Sequence, residues 1–165
     1  KNISSDEYED KIRPIKMNSS IENFIHYDND IDDVKITWKT KETKRIINVQ
    51  GKQFIYYCPR TVWSYKGNGE VYVFVLGKRN KLYHLPVPNI YEDGKICWGN
   101  VKVPNFKTSK ELTENIEKLF WESNFSNHLN TIFISNKGYK KFFDNSNGLD
   151  LSNYHLSNRS IDEFK

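Results

Sequence analysis

The sequence predicts an α+β fold: an antiparallel β-meander first, then an irregular loop, then helices. Three observations carry that prediction. Between Val34 and His84, apolar residues recur in short alternating runs separated by turn residues. Between Leu85 and Asn100, prolines and glycine turns erase all periodicity. From Thr108 onward, apolar residues take helical spacing behind a capping signal. No strand–helix–strand alternation exists to make a parallel sheet. At 165 residues and 19.6 kDa the chain is one domain's worth, large enough for a real core. It contains no Ala, and 15% of its residues are aromatic, so aromatic rings must fill that core.

Residues 1–33 read as a polar, acidic lead-in, and residues 34–165 as a single domain. Pro14 blocks a long helix in the lead-in. Ile21, Phe24 and Ile25 leave room for one helical turn or an edge strand. Val34, Ile36 and Trp38 then alternate with Lys35, Thr37 and Lys39, the pattern of a half-buried strand. Arg45–Val49 and Phe54–Tyr57 are the next two strands, with Gln50-Gly51-Lys52 between them. Val62–Tyr65 and Val71–Leu76 follow, joined by the hairpin signal Lys66-Gly-Asn-Gly69. Leu82–His84 is a last short strand. After the loop, Thr108-Ser-Lys-Glu111 forms a capping box, and Leu112, Ile116, Leu119 and Phe120 form one stripe of a helix running to about Glu122. Tyr139–Phe143 suggests a short helix. Ser160-Ile-Asp-Glu163 is a second capping box, with a helix expected from Ile161.

The loop is the stretch that carries chemistry. Pro86 and Pro88 lack backbone donors and hold their neighbours extended. Asp93-Gly94 is a tight-turn signal. Cys97 follows just past that turn, outside regular structure, where a thiol is partly exposed and able to react. Asn89 lies on the far side of the turn, so a loop folded back on itself brings its amide toward the thiol. That amide donor suits the oxyanion formed when a carbonyl is attacked. No histidine is placed as a base for papain-like proteolysis. The other cysteine, Cys58, closes a strand next to Pro59 and reads as structural.

Several classes are set aside. There is no nucleophile elbow and no phosphate-binding glycine loop. The two cysteines and four histidines show no zinc spacing, so no metal and no cofactor is expected. No apolar run spans a membrane, and no leader pattern is visible, so a cytoplasmic protein is expected. The net charge of +4 comes from interspersed charges, 25 basic against 21 acidic, which reads as a mixed solvated surface. A basic nucleic-acid-binding module is the minor alternative; nucleic acid is not the expected partner.

Pro88-Asn89-Ile90, then Gly94 and Cys97, resembles the active-site segment of ubiquitin-conjugating (UBC) enzymes, in which His-Pro-Asn precedes the catalytic Cys at the same spacing. The wider run from Tyr83 to Asn100 resembles a bacterial branch more closely, the prokaryotic ubiquitin-conjugating-like family D, which is related to protein B of the plasmid-associated PRTRC system. Phe120–His128 and Leu156–Phe164 resemble it more weakly. The resemblance implies a UBC-like fold and an acyltransferase that carries a ubiquitin-like protein as a thioester on Cys97. Asn89 would support the oxyanion, and Pro88, Gly94, Asp93 and Trp98 would shape the active-site loop. The implied partners are a ubiquitin-like protein, a ubiquitin-activating-like enzyme and a protein substrate with an acceptor lysine. His128 is a rim candidate, and Glu92 and Asp93 are the nearest acids. Val87 stands where the ubiquitin-conjugating family has His, and Trp98-Gly99 where it has Leu-Asp. These departures motivate the alternative of a catalytically silent UBC-like adaptor.

Overall fold

A computed structural model describes residues 21–30, 33–49, 51–66, 69–99, 101–104, 106, 109–125, 142–143 and 147–164. The strands are β1 (Ile21–Asp30), β2 (Asp33–Thr40), β3 (Thr43–Val49), β4 (Lys52–Cys58), β5 (Thr61–Lys66), β6 (Val71–Leu76), β7 (Lys81–Tyr83), β8 (Asn124–Phe125) and β9 (Leu156–Ser160). The α-helix α1 spans Ser109–Trp121. Six strands form one sheet in the order β1-β2-β5-β6-β7-β9, and three form a second in the order β4-β3-β8. The architecture is thus α+β, with antiparallel pairing throughout the larger sheet. Of the two expectations for the lead-in, residues 21–30 take the edge strand. Residues 1–20 lie outside the described residues.

The central strands are buried on both faces, which is why they read as nearly continuous apolar runs. Trp63, Tyr65, Val71, Val73 and Val75 face the larger cluster, together with Leu112, Ile116 and Phe120 of α1. Val62, Tyr72, Phe74 and Leu76 face the opposite way, where Ile161 and Phe164 cover them.

The meander is not simple. β2 pairs directly with β5, bringing Trp38 opposite Trp63. Their rings stack at 6.1 Å and 8°. The β3–β4 hairpin therefore leaves the large sheet. Its inner face, Ile47, Val49, Phe54, Tyr56 and Cys58, packs into the core, and β3 pairs β8 in parallel at Asn48↔Asn124. The alternation of β3 and β4 would suit either sheet; packing of their apolar face against aromatic residues selects this one.

On α1 the buried positions are wider than a single stripe: Leu112, Thr113, Ile116, Glu117, Phe120 and Trp121 are all buried, whereas Leu119 is half-buried. Glu117 turns inward and accepts from Trp38 Nε1 at 3.2 Å and Arg45 Nη2 at 3.4 Å. The helix ends next to the expected residue, with the Ser123 hydroxyl donating to the Phe120 carbonyl at 2.6 Å. Thr108 of the first capping box lies outside the described residues. Of Tyr139–Phe143, only Phe142 and Phe143 are described, both helical and buried. The second capping box is formed: the Ser160 amide donates to Glu163 Oε2 at 2.6 Å and the Asp162 amide to Ser160 Oγ at 3.2 Å. It opens a single 3-10 turn, Ile161–Phe164. Among the described residues, then, α1 is followed by two short strands, β8 and β9, and by 3-10 turns, with Phe142 and Phe143 helical.

Candidate active site

The site is built on a narrow hairpin paired to the start of β6, residues 71–73, which β7 does not reach. Leu85, Pro86, Val87, Pro88, Asn89 and Ile90 are all buried and anchor its first arm. Across the turn, the Cys97 amide donates to the Asn89 carbonyl at 2.8 Å and the Tyr91 amide to the Lys95 carbonyl at 2.9 Å. Ile90 bridges Ile96 between them. The second arm is tied to β6 by Val73 N–H to Gly94 O at 3.0 Å and Ile96 N–H to Val71 O at 2.8 Å. Pro86 and Pro88 therefore sit where no ladder donor is needed.

The Asp93-Gly94 turn forms as its sequence requires. Asp93 Oδ1 accepts from the Lys95 amide at 3.0 Å, an Asx-type turn. Gly94 has φ of +89°. A Cβ at Gly94 would land inside the Phe74 ring, so both conformation and space demand glycine. Beyond the turn, Lys95 Nζ pairs with Glu70 at 3.3 Å on the surface.

Alternation along the two arms decides what meets the thiol. Ile90 and Ile96 point inward, with 6% and 2% exposure. Asn89, Tyr91, Lys95 and Cys97 occupy the other parity, hence the other face. In backbone register Asn89 lies opposite Cys97, and Tyr91 is the diagonal neighbour of Cys97. Cys97 is half-buried and free, while Cys58 is buried and free. The Tyr91 phenol hydrogen-bonds the Cys97 thiol, and this contact, followed by the thiol's charge, raises the phenol above its ordinary pKa. The Asn89 Oδ1 atom is buried and has no partner among the described residues.

Cys58 differs in every respect. Burial pushes its thiol up to about 12, with the Arg45 guanidinium only partly opposing that. Its Sγ donates to the Pro59 carbonyl at 3.3 Å.

The family model for Prokaryotic E2 family D matches residues 11–149. The chain belongs to that family. No curated protein and no solved structure matches it. Membership points to a ubiquitin-conjugating-like role.

Within this E2-family chain, the hairpin brings Pro88, Asn89 and Cys97 together and sets Asp93 and Gly94 at its tip. Trp98 goes elsewhere. Its ring packs edge-on against Phe120 at 6.4 Å, and its indole N–H is buried without an acceptor among the described residues. Trp98 thus buttresses the loop from the core side; the next turn closes with Val101 N–H on Trp98 O at 2.9 Å. Val87, at the position of the family's His, is a core side chain with 5% exposure. Glu92 is exposed at the tip, and His128 lies outside the described residues. Sequence reasoning missed Tyr91. The Asp93-Gly94 signal by itself does not reveal it: a two-residue turn would set Ile90 opposite Cys97, and it is the observed register, Ile90 with Ile96 and Tyr91 with Lys95 across a three-residue loop, that puts Tyr91 on the Cys97 side.

Among the described residues no group of three or more His, Cys, Asp or Glu side chains could hold a metal ion. No helix there is long and apolar enough to cross a membrane.

Proposed function

We propose that this chain is a ubiquitin-conjugating-like acyltransferase that carries the C-terminus of a ubiquitin-like protein on Cys97. The observation that carries the reading is the half-exposed Cys97 thiol on a rigid hairpin, with Asn89 opposite and the Tyr91 phenol on its sulfur. Two transfers follow. The Cys97 thiolate attacks the thioester carbonyl presented by an activating enzyme. A new C–S bond forms, the old one breaks, and the activating enzyme's cysteine leaves as thiolate. An amine, such as the lysine of a protein substrate, then attacks the Cys97 thioester. The C–N bond forms, the C–Sγ bond breaks, Cys97 returns as thiolate, and the amine's proton passes to solvent. Sulfur suits both steps, being a good nucleophile and a good leaving group.

In this reading the Tyr91 O–H donates to the sulfur whenever it carries charge, before attack and on departure. The Asn89 amide donates to the oxyanion between those moments. Pro88, Gly94, Asp93 and Trp98 hold the loop rather than touch the reacting atoms.

The test is reconstitution with the cognate activating enzyme, ATP and the ubiquitin-like protein. Wild type should form an adduct that reductant cleaves, Cys97→Ala should form none, and Cys97→Ser should form one that reductant leaves intact. Failure of wild type, or an adduct on Cys97→Ala, refutes the reading and leaves the adaptor.

A further inference from the structure

The tip of the Cys97 hairpin is gripped from a distant part of the chain. Arg159, on β9, donates from Nη1 to the backbone carbonyl of Asp93 at 3.0 Å. That carbonyl belongs to the turn immediately before Gly94. The same guanidinium lies over the Tyr72 ring at 5.2 Å and the Phe164 ring at 4.8 Å. Its Nε donates to Glu163 Oε1 at 3.3 Å. Glu163 is itself fixed by the Ser160 amide, a contact that holds its carboxyl below the ordinary range. Arg159's own amide donates to Ser157 Oγ at 3.1 Å.

These contacts make one assembly. β9 joins the large sheet through β7, with Lys81 opposite Ser160. The Ile161–Phe164 turn then lays Ile161 and Phe164 on the sheet face that carries Tyr72 and Phe74. Phe74 is also the ring under Gly94. The guanidinium is planar and offers donors in a fixed fork, so one side chain can stack, pair with Glu163 and still reach Asp93. A lysine reaches the carbonyl as a point donor but lacks the fork and the flat stacking surface.

We propose that Arg159 is a positioning residue for Cys97: the β9 segment clamps the Asp93 carbonyl and so fixes the hairpin that presents the thiol. The proposal rests on the acyltransferase reading for its purpose, and its clamp can be measured without any partner protein. The consequence for chemistry is direct. Tyr91 meets the sulfur, and the Asn89 carbonyl holds the Cys97 amide, only while the two arms keep their register, and the tip is where that register is set. Releasing the tip exposes the thiol to small reagents and at the same time takes it out of line for transfer.

The experiment compares wild type, Arg159→Ala and Arg159→Lys. Iodoacetamide labelling of Cys97 should rise about tenfold in Arg159→Ala, the effect of losing one charge-assisted hydrogen bond. Cys58 should stay unlabelled, which separates release of the loop from loosening of the whole fold. Amide exchange should rise at Tyr91, Gly94 and Cys97 and stay unchanged across the β2–β5 pairing. Arg159→Lys, which keeps a point donor to the carbonyl without the fork or the stacking surface, should recover only part of both effects. In single-turnover transfer from Cys97 to an amine, Arg159→Ala should be slower by a similar factor, with the same partial rescue.

Unchanged Cys97 labelling and exchange in Arg159→Ala overturn the proposal. So does labelling of Cys58 in parallel with Cys97, or unchanged transfer despite a released loop. If Arg159→Ala does not fold, Arg159→Gln, which keeps an amide donor without the charge, is read by the same labelling and exchange measurements. Absence of any adduct on wild type would refute the acyltransferase reading; labelling and exchange would still decide the clamp.

Discussion

The two thiols of this chain should differ in reactivity by orders of magnitude, and the structure says by how much for one of them. Cys58 is raised from 9.0 to about 12, chiefly by desolvation. Near neutral pH a rise of that size lowers the thiolate fraction by about a thousandfold relative to an ordinary cysteine. Burial adds a steric barrier, since Cys58 is only 2% exposed. A disulfide reagent that releases a chromophore, added in excess at pH 7.5, should therefore titrate one thiol rapidly. The second should react only on the timescale of global opening, or at once in denaturant. Peptide mass mapping of the fast product should place the label on Cys97. Cys97→Ala should abolish the fast phase, and Cys58→Ala should leave it intact. Two thiols reacting at similar rates in the folded protein would refute the burial argument. A fast label on Cys58 alone would remove the site itself.

Three other outcomes follow from local geometry. Gly94→Ala combines a positive φ with a Cβ inside the Phe74 ring; it should cost about 2–5 kcal/mol by calorimetry and lift the hairpin from β6, seen as faster Cys97 labelling. Glu117→Ala strands the Arg45 guanidinium and the Trp38 N–H, both of which it accepts from; thermal melting should report a loss of about 3–5 kcal/mol, with Glu117→Gln milder because it keeps an acceptor for Trp38. His84 is lowered from 6.5, first by burial and then by His155. The unfolded chain then binds the proton more tightly, so stability is full above about pH 6.5 and falls as pH drops below that value. His84→Gln should flatten the slope of melting temperature between pH 7 and 5, and an unchanged slope would refute the assignment.

Much of this molecule was legible in its residues because the deciding physics was local. β6 matches the expected Val71–Leu76 run because six consecutive apolar residues suit a strand buried on both faces. The Asp93-Gly94 turn follows from an Asx side chain and a residue free to take positive φ. The Ser160–Glu163 box forms because donor and acceptor lie three residues apart.

Residue types and short spacings, then, determined strands β2 to β7, the turn, the helix end and which thiol is the candidate nucleophile. Tertiary structure alone decided that β3 and β4 leave the sheet, that Trp98 turns inward and that Cys58 is sealed. It also decided that β9 returns to β7, bringing Arg159 to Asp93 across 66 residues of chain. The reason is physical. Alternation says which side of a strand is apolar but not which partner will cover it. That choice is a competition between whole buried surfaces, settled here by stacked rings such as Trp38 on Trp63 and by a cation resting between Tyr72 and Phe164.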